Sequence, residues 1–294
     1  MPNDTTRFLT EHRQPAGSVT LNVARTGPDS PDVIFLHGVT RRWQSFLPIV
    51  SSLAVRYPLE LIDLRGHGDS SRAPSYQVRD YVGDVVKRLG QLTNPVVLYG
   101  HSLGAMVAAA AAAQCPEQIR GVVLEDPPFE TMGARIGQTR LLSYFQGVAE
   151  LVGSRASFES YLARLPAIRL VDPATGCVQR VGDVRDEVFL RFTARSLTRL
   201  DPLVLNPIVA GSWLDGFDYR GGLANIRSPV LLMRADPNFG GMLSAEDVRW
   251  CRRELPQVTC LEFSKTPHLI HIARPAEVAT QVLGFVESLA YRSD

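Results

Sequence analysis

Short, nearly continuous apolar runs alternate with amphipathic stretches along the first part of the chain. Such runs are typical of strands that helices cover on both faces. We predict strands of this kind at Asp32–His37, Leu59–Leu64, Pro95–Gly100 and Gly121–Glu125, after an alternating, antiparallel strand at Ser18–Arg25. Helices are predicted at Trp43–Val55, Val78–Leu92 and Leu103–Gln114. The repeat of strand and helix indicates the α/β class, with a mostly parallel sheet and helices on both faces.

The pattern changes after Pro128. From Phe129 to about Gly222 the sequence has amphipathic segments and no strand-like apolar run, which predicts an inserted helical segment. Strand patterns return at Pro229–Met233 and Val258–Phe263, and helical patterns at Ala245–Leu255 and Pro275–Tyr291. We therefore predict one core domain from residues 1–128 and 223–294, interrupted by a helical cap at residues 129–222. Insertions of this length are usually lids or binding elements.

Composition narrows the choice of partners. The formal net charge is +1, which does not favour a polyanion such as nucleic acid. The longest apolar stretch is too short to span a membrane, and the polar amino-terminal segment lacks the apolar centre of a signal peptide. The cysteines are widely spaced, as in a reducing cytoplasm: Cys115, Cys177, Cys251 and Cys260. We expect a cytoplasmic protein with a small-molecule substrate and no membrane partner.

The segment Gly100-His101-Ser102-Leu103-Gly104 has the pattern G-x-S-x-G, directly after a predicted strand and directly before a predicted helix. Its two glycines permit a strained turn that raises the serine hydroxyl above the sheet edge, and the helix amino terminus places N–H groups behind it. The pattern alone is common by chance, but the strand and the helix are the context that it requires. Ser102 is therefore the candidate nucleophile.

A second glycine turn, His37-Gly38-Val39, ends the strand predicted at residues 32–37. This turn allows the N–H of Val39 to face the same oxygen as the N–H of Leu103. Two such backbone donors form an oxyanion hole. A simple turn accounts for His37 itself, so we expect a structural role for that residue.

The three residues Arg41, Arg42 and Trp43 follow this turn and are candidates for substrate binding. A guanidinium at this place can hold a substrate carboxylate through two hydrogen bonds. A solvated helix start explains the same residues without any ligand. The sequence leaves both interpretations open.

Four motifs in this order resemble the α/β-hydrolase superfamily: the His-Gly pair, the segment DLRGHGDS at residues 63–70, the G-x-S-x-G segment, and a late segment from Pro267 to Pro275. The resemblance covers nearly the whole chain except the predicted cap. It implies the α/β-hydrolase fold, a structural role for residues 63–70, and His268 as the general base. Most members have glycine where this chain has Pro267. His271, one turn further, is expected to pack or hydrogen-bond locally.

The acidic partner of the histidine has two candidates. Most of the superfamily places this acid after the seventh strand, but the usual offset falls on Asn238, with Asp236 nearby. Some members, the haloalkane dehalogenases among them, place it after the sixth strand, where this chain has Glu125 and Asp126. Asp126 lies 24 residues after Ser102, the spacing expected for that arrangement. We favour Asp126 and keep Asp236 as the alternative, although a turn before the two prolines also explains Asp126.

These residues predict a serine hydrolase that cleaves a small carboxylic ester, thioester, lactone or amide through an acyl-enzyme. Serine at the elbow, where dehalogenases and epoxide hydrolases have aspartate, argues against their chemistry. No metal-ligand cluster, phosphate-binding loop or dinucleotide fingerprint occurs, so the sequence implies no metal and no cofactor. The core also resembles the acetamidomethylene-succinate hydrolases, cofactor-free enzymes that act on an amide-bearing dicarboxylate. Hydrolysis of a carbon–carbon bond in a diketone-like substrate, and a ligand receptor without activity, remain alternatives.

Overall fold

The computed structural model describes residues 9–27, 30–133 and 135–290. Its strands are β1 (Thr10–Ala16), β2 (Val19–Arg25), β3 (Val33–Leu36), β4 (Leu59–Asp63), β5 (Val96–His101), β6 (Ile119–Glu125), β7 (Arg169–Val171), β8 (Val178–Arg180), β9 (Val230–Ala235) and β10 (Val258–Phe263). Eight of them form one sheet in the order β1-β2-β4-β3-β5-β6-β9-β10. Only β2 runs antiparallel to its neighbours in this sheet; all other pairs are parallel.

The helices are α1 (Leu47–Ala54), α2 (Val78–Leu89), α3 (Leu103–Gln114), α4 (Leu141–Gly153), α5 (Phe158–Arg164), α6 (Val181–Val184), α7 (Glu187–Leu197), α8 (Asn206–Val209), α9 (Tyr219–Leu223), α10 (Ala245–Glu254), α11 (Ile270–Ala273) and α12 (Pro275–Ala290). Within the described ranges, none of them combines the length and the apolar character needed to cross a bilayer.

Helices cover both faces of the central strands, which explains their continuous apolar runs. Ile34 and Leu36 of β3 belong to an apolar cluster with residues of α2, α3 and α10. The alternate residues Val33 and Phe35 belong to a second cluster with residues of α1 and α12. Successive side chains of a strand point to opposite faces, so the two clusters are the two covered faces of the sheet. The predicted α/β fold with a mostly parallel sheet is confirmed.

Strand β1 was not predicted from the sequence. Its residues are polar and mostly exposed because it forms the edge of the sheet and pairs only with β2. Such a strand needs no continuous apolar run, and polar residues also protect an edge from pairing with other chains. The polar amino-terminal segment from which we expected no signal peptide falls partly on residues 1–8, outside the described residues.

Residues 129–222, predicted as a helical cap, contain helices α4 to α8 and also the hairpin β7–β8. The sequence did not predict this hairpin, because each strand has only three residues and no buried side chain. Phe145, Leu197 and Val204 of this segment belong to the same apolar cluster as α2 and α3. The segment therefore packs on that face of the molecule, and its boundaries as a cap stay a prediction.

Two glycines allow β3, β5 and α3 to approach one another closely. A Cβ atom on Gly104 would lie 1.9 Å from the carbonyl oxygen of Leu36, and one on Gly100 would lie 2.2 Å from the carbonyl oxygen of Gly104. Both obstacles are backbone atoms, which cannot rotate away as a side chain can. The start of α3 is therefore fixed directly against the end of β3.

Replacing Gly104 with alanine should lower the free energy of unfolding by about 3 kcal/mol, because the new methyl group forces the backbones of α3 and β3 apart. Gly83 in α2 is the matched control: a Cβ there would meet no atom within 4 Å. Gly83→Ala should raise the stability by about 0.5–1 kcal/mol through helix propensity. Urea unfolding of both variants checks this, and wild-type stability of Gly104→Ala would contradict the close approach.

Candidate active site

Ser102 is the single residue between the end of β5 and the start of α3. Its backbone has φ 56° and ψ −118°, a strained conformation for a residue with a side chain. The strand, the sharp turn and the helix follow one another as the motif predicted. The serine is only 5% exposed and lies at the carboxyl edge of the sheet, where parallel strands of this fold class present their sites.

Two backbone N–H groups flank the serine. In the described part of the chain, neither the N–H of Val39 nor that of Leu103 donates to another backbone group, and the first N–H groups of a helix have no partner within it. Gly38 lies against the elbow: a Cβ on it would be 3.0 Å from the Cβ of Ser102. These positions are consistent with the predicted oxyanion hole.

Residues 63–70 hold the turn that carries Val39. His67 accepts the N–H of Thr40 at 3.3 Å, and His37 accepts the N–H of Leu64 at 3.0 Å. Burial lowers the pKa of His67 to about 4, so the ring is neutral and can accept a hydrogen bond near pH 7. His37 and the DLRGHGDS segment thus have the structural contacts that the sequence suggested.

Asp126 and His268 form a short hydrogen bond, 2.6 Å between Oδ2 and Nδ1. The carboxylate can only accept, so the imidazole carries its proton on Nδ1. Asp126 is 0% exposed. Its oxygens also accept the N–H groups of Ala235, Met242 and Leu243, at 3.2, 2.7 and 3.2 Å. Four donors converge on this carboxylate, which stabilises its negative charge inside the protein.

The imidazole of His268 lies beside the elbow. Its ring centroid is 4.6 Å from that of His101, and the Nε2 of His101 is 3.2 Å from the carbonyl oxygen of His268. No hydrogen bond of the described residues joins Ser102 Oγ to His268, and such bonds are often long outside a substrate complex. The candidate base therefore lies against His101, the residue that directly precedes the candidate nucleophile.

Asp236, the alternative acid, has different partners. Its side chain accepts the N–H groups of Asn238 at 2.9 Å and Lys265 at 2.8 Å, and these bonds lower its pKa. No hydrogen bond of the described residues joins it to His268. Asp126 is therefore the carboxylate that meets the histidine, and Asp236 closes a turn.

A second carboxylate–histidine pair, which the sequence analysis missed, lies beside the first. Glu125 Oε1 accepts the backbone N–H of His271 at 2.9 Å, and both carboxylate oxygens lie within 2.9 Å of its Nδ1. Tyr99 donates its hydroxyl to Glu125 at 2.6 Å. The sequence did contain a signal for this pair. Two consecutive acidic residues, Glu125 and Asp126, lie at the end of β6, and two histidines three positions apart, His268 and His271, follow β10. His271 thus hydrogen-bonds to Glu125, which lies 146 positions away in the sequence, and not to residues of its own loop as expected.

Burial controls the protonation of two groups under the elbow. It lowers the pKa of His101 well below the ordinary value, and the neighbouring His268, His271 and Arg41 side chains lower it further. Burial and the Glu125 carboxylate raise the pKa of Tyr99 well above its usual value. Near neutral pH, His101 is therefore uncharged and Tyr99 keeps its hydroxyl proton.

The three candidate substrate-binding residues have different surroundings in the structure. Arg41 is buried and its Nη1 donates to Thr193 on α7, at 2.7 Å. Trp43 packs in the apolar cluster with α1 and α12, and its backbone N–H donates to Asp63 at 2.8 Å. Arg42 is half-buried. Burial lowers its pKa, and the negative charge of Asp63 raises it. Of the three, Arg41 alone joins the core to the inserted segment.

A strained serine between a parallel strand and a helix, with a carboxylate-bound histidine after the last strand, is the arrangement of α/β hydrolases. The sequence profile of the alpha/beta hydrolase family matches residues 33–281, and the chain belongs to this family. The predicted resemblance is thus confirmed.

Named relatives refine this comparison. A 2-(acetamidomethylene)succinate hydrolase of Mesorhizobium japonicum is 34% identical over 157 residues, 52% of this chain and 55% of that relative. A pimeloyl-[acyl-carrier protein] methyl ester esterase of Chromobacterium violaceum is 24% identical across 88% of this chain and 96% of its own. The crystal structure of E-2-(acetamidomethylene)succinate hydrolase superimposes with a TM-score of 0.71 at 22% identity, covering 95% of this chain and 99% of that one. Together the relatives support a hydrolytic function.

Asp126→Asn should lower kcat by about four orders of magnitude, because an amide cannot hold the imidazole of His268 in the same tautomer. Asp236→Asn, the matched control, should change kcat by no more than a few-fold, since that side chain only closes a turn. Ester hydrolysis and the thermal midpoint of both variants are measured together, so that unfolding is not mistaken for slow chemistry. The opposite ranking would place the acid at Asp236.

Proposed function

We propose that this chain is a cofactor-free serine hydrolase that cleaves a small carboxylic ester, thioester, lactone or amide through an acyl-enzyme. The observation that carries the proposal is the 2.6 Å bond between Asp126 and His268, next to the strained Ser102. A carboxylate that orients an imidazole beside a hydroxyl on a helix amino terminus is the constellation that activates serine.

In the first half of the reaction, Ser102 Oγ attacks the acyl carbon and His268 Nε2 takes the hydroxyl proton. Asp126 keeps Nδ1 protonated and stabilises the resulting imidazolium. The N–H groups of Val39 and Leu103 stabilise the oxyanion, and the amino terminus of α3 adds partial positive charge there. Removing one such donor typically costs about a hundredfold or more in kcat.

The first tetrahedral intermediate then collapses: the bond from the acyl carbon to the leaving alcohol, thiol or amine breaks as His268 gives that group its proton, and the acyl-enzyme remains. A water molecule then gives a proton to His268 and attacks the acyl carbon. The tetrahedral intermediate collapses, the Ser102 Oγ–acyl bond breaks, and the proton returns to the serine. No electron transfer and no co-reactant other than water are needed.

We place residues 129–222 over this site as the cap. Contacts between the two parts support this arrangement: besides the bond from Arg41, Tyr76 donates to Asp201 at 2.7 Å, and the N–H of Asp201 donates to Gly66 at 2.8 Å. Free cysteines throughout the described chain fit a reducing compartment, and we propose that the enzyme works in the cytoplasm.

Ser102→Ala should remove ester hydrolysis, because losing one member of a triad costs several orders of magnitude in kcat. Ser288→Ala, at an exposed position of α12, is the control and should keep the full rate. The test combines p-nitrophenyl acetate hydrolysis with mass spectrometry after treatment with a fluorophosphonate, which should label Ser102 in the wild type. More than a few per cent residual activity in Ser102→Ala would exclude this nucleophile.

The same measurements separate the other classes. Fluorophosphonate labelling without turnover of any ester, thioester, lactone or amide would favour a receptor. Cleavage of a vinylogous diketone, without turnover of esters, would favour carbon–carbon bond hydrolysis by the same residues.

Dialysis against a chelator should leave the rate unchanged. Within the described residues, no group of three or more histidine, cysteine, aspartate or glutamate side chains could hold a metal ion. Loss of activity that only added zinc, magnesium or another divalent cation restores would contradict the cofactor-free mechanism.

A further inference from the structure

Arg41 is a buried cation at the boundary between the core and the inserted segment. Its side chain is 6% exposed, and its Nη1 donates to Thr193 of α7 at 2.7 Å. The guanidinium carbon lies 4.6 Å from the ring centroid of Phe189 on the same helix. Thr193 is itself fully buried on the apolar face of α7, where a polar residue is unexpected.

The other buried arginines of the described chain all pair with carboxylates. Arg25 and Arg88 both bind Glu60, and Arg65 binds Asp84 at 2.6 Å. Arg41 has no such partner among the described residues. Taking a guanidinium out of water without a counter-charge is unfavourable, so the difference between Arg41 and the other buried arginines needs a physical reason.

Arg185 adds a second positive charge beside Arg41. Arg185 lies 4.9 Å from the same Phe189 ring centroid, and it has no carboxylate partner among the described residues either. Burial lowers the pKa of Arg41 to about 10; Tyr144 acts against this shift, and the charge of Arg185 adds to it. Arg41 still carries its charge near pH 7, so positive potential accumulates where α7 covers the core.

The side of the Arg41 guanidinium that carries Nε and Nη2, called here its free edge, matches the geometry with which other arginines of this chain bind carboxylates. Arg65 binds Asp84 through Nε and Nη2, each at 2.6 Å from one carboxylate oxygen. Arg88 binds Glu60 through the same two atoms at 2.8 Å. In Arg41 the bond to Thr193 occupies Nη1, and Nε and Nη2 donate to no described residue. The edge that this chain uses twice for carboxylates is thus available on Arg41.

Arg41 lies close in the chain to a residue of the proposed oxyanion hole. Arg41 follows Val39, a proposed oxyanion donor, by two residues, so their Cα atoms are at most about 8 Å apart. Its charge also acts on His101, next to Ser102. A small molecule with a few bonds between its scissile carbonyl and an anionic group can span this distance.

We propose that Arg41, held in place by Thr193, binds a carboxylate of the substrate, so that the enzyme prefers small esters or amides that carry a second, charged group. This inference rests on the proposed serine hydrolase function. Two hydrogen bonds from a fixed fork give both affinity and orientation to such a substrate. Neutral esters lack that anchor and leave the buried cation unpaired.

The test uses two pairs of esters, each a charged compound and its neutral amide analogue. Monomethyl glutarate and methyl 4-carbamoylbutanoate carry the group on the acyl side. The second pair, 4-acetoxybutanoate and 4-acetoxybutanamide, carries it on the leaving group. We expect the wild type to prefer the charged member of at least one pair by tenfold or more in kcat/KM, as about one well-placed charge pair supplies. Equal rates within both pairs would overturn the proposal.

Arg41→Gln should lower kcat/KM for the preferred charged ester by about a hundredfold and change that of its neutral analogue by less than about threefold. Arg191→Gln, at an exposed position of α7 where the arginine pairs with Glu187, is the matched control and should leave both unchanged. Equal loss of both esters in Arg41→Gln would assign Arg41 a structural role. If that variant does not fold, inhibition of the wild type decides: glutarate should compete with the ester and glutaramide should not.

Failure of this inference is distinct from failure of the proposed function. Hydrolysis that depends on Ser102 but does not distinguish charged from neutral esters overturns the carboxylate site alone. Hydrolysis that persists in Ser102→Ala overturns the serine mechanism and, with it, the inference built on that mechanism.

Discussion

Two consecutive carboxylates at the end of β6, Glu125 and Asp126, hold the loop after β10 against the sheet through His271 and His268. A buried carboxylate needs donors on every side, so the loop has few other places to lie. The carbonyl oxygen of Glu125 also accepts the N–H of Ser102 at 2.9 Å. This small buried region therefore fixes the strand ends, the elbow and the histidine loop relative to one another.

That geometry requires backbone strain. Five described non-glycine residues have positive φ, and three of them, Thr40, Ser102 and Asp126, belong to the candidate site. Each costs about 1–3 kcal/mol and persists only where the surroundings determine it fully. The sheet supplies this support, because Gly100 and Gly104 let the start of α3 lie directly on neighbouring backbone. The rigid core thus holds Ser102 in a backbone conformation that an isolated peptide would not keep.

The core and the inserted segment contribute different properties to the site. The proposed nucleophile, base and acid come from loops at the ends of strands, which the sheet holds rigidly. The positive charge without a counter-charge lies where Arg41 meets Thr193 of α7. On the proposed mechanism and carboxylate site, changes in α7 and its neighbours would alter the preferred substrate and leave Ser102, His268 and Asp126 in place.

The α/β architecture, the strand–serine–helix elbow and the loop that carries His268 could all be predicted from the sequence, because they depend on short-range periodicity and on motifs of a few residues. The carboxylate that meets His268 could be identified only from the folded chain. Asp126 and Asp236 both follow strands that end at the same edge of the sheet, and the choice depends on contacts between residues more than 100 positions apart. The folded chain also separates Arg41 from Arg42 and Trp43, because adjacent side chains leave the backbone in directions that a local pattern does not specify. The partner of Arg41, Thr193, comes from an insertion whose packing depends on the surface of the completed core.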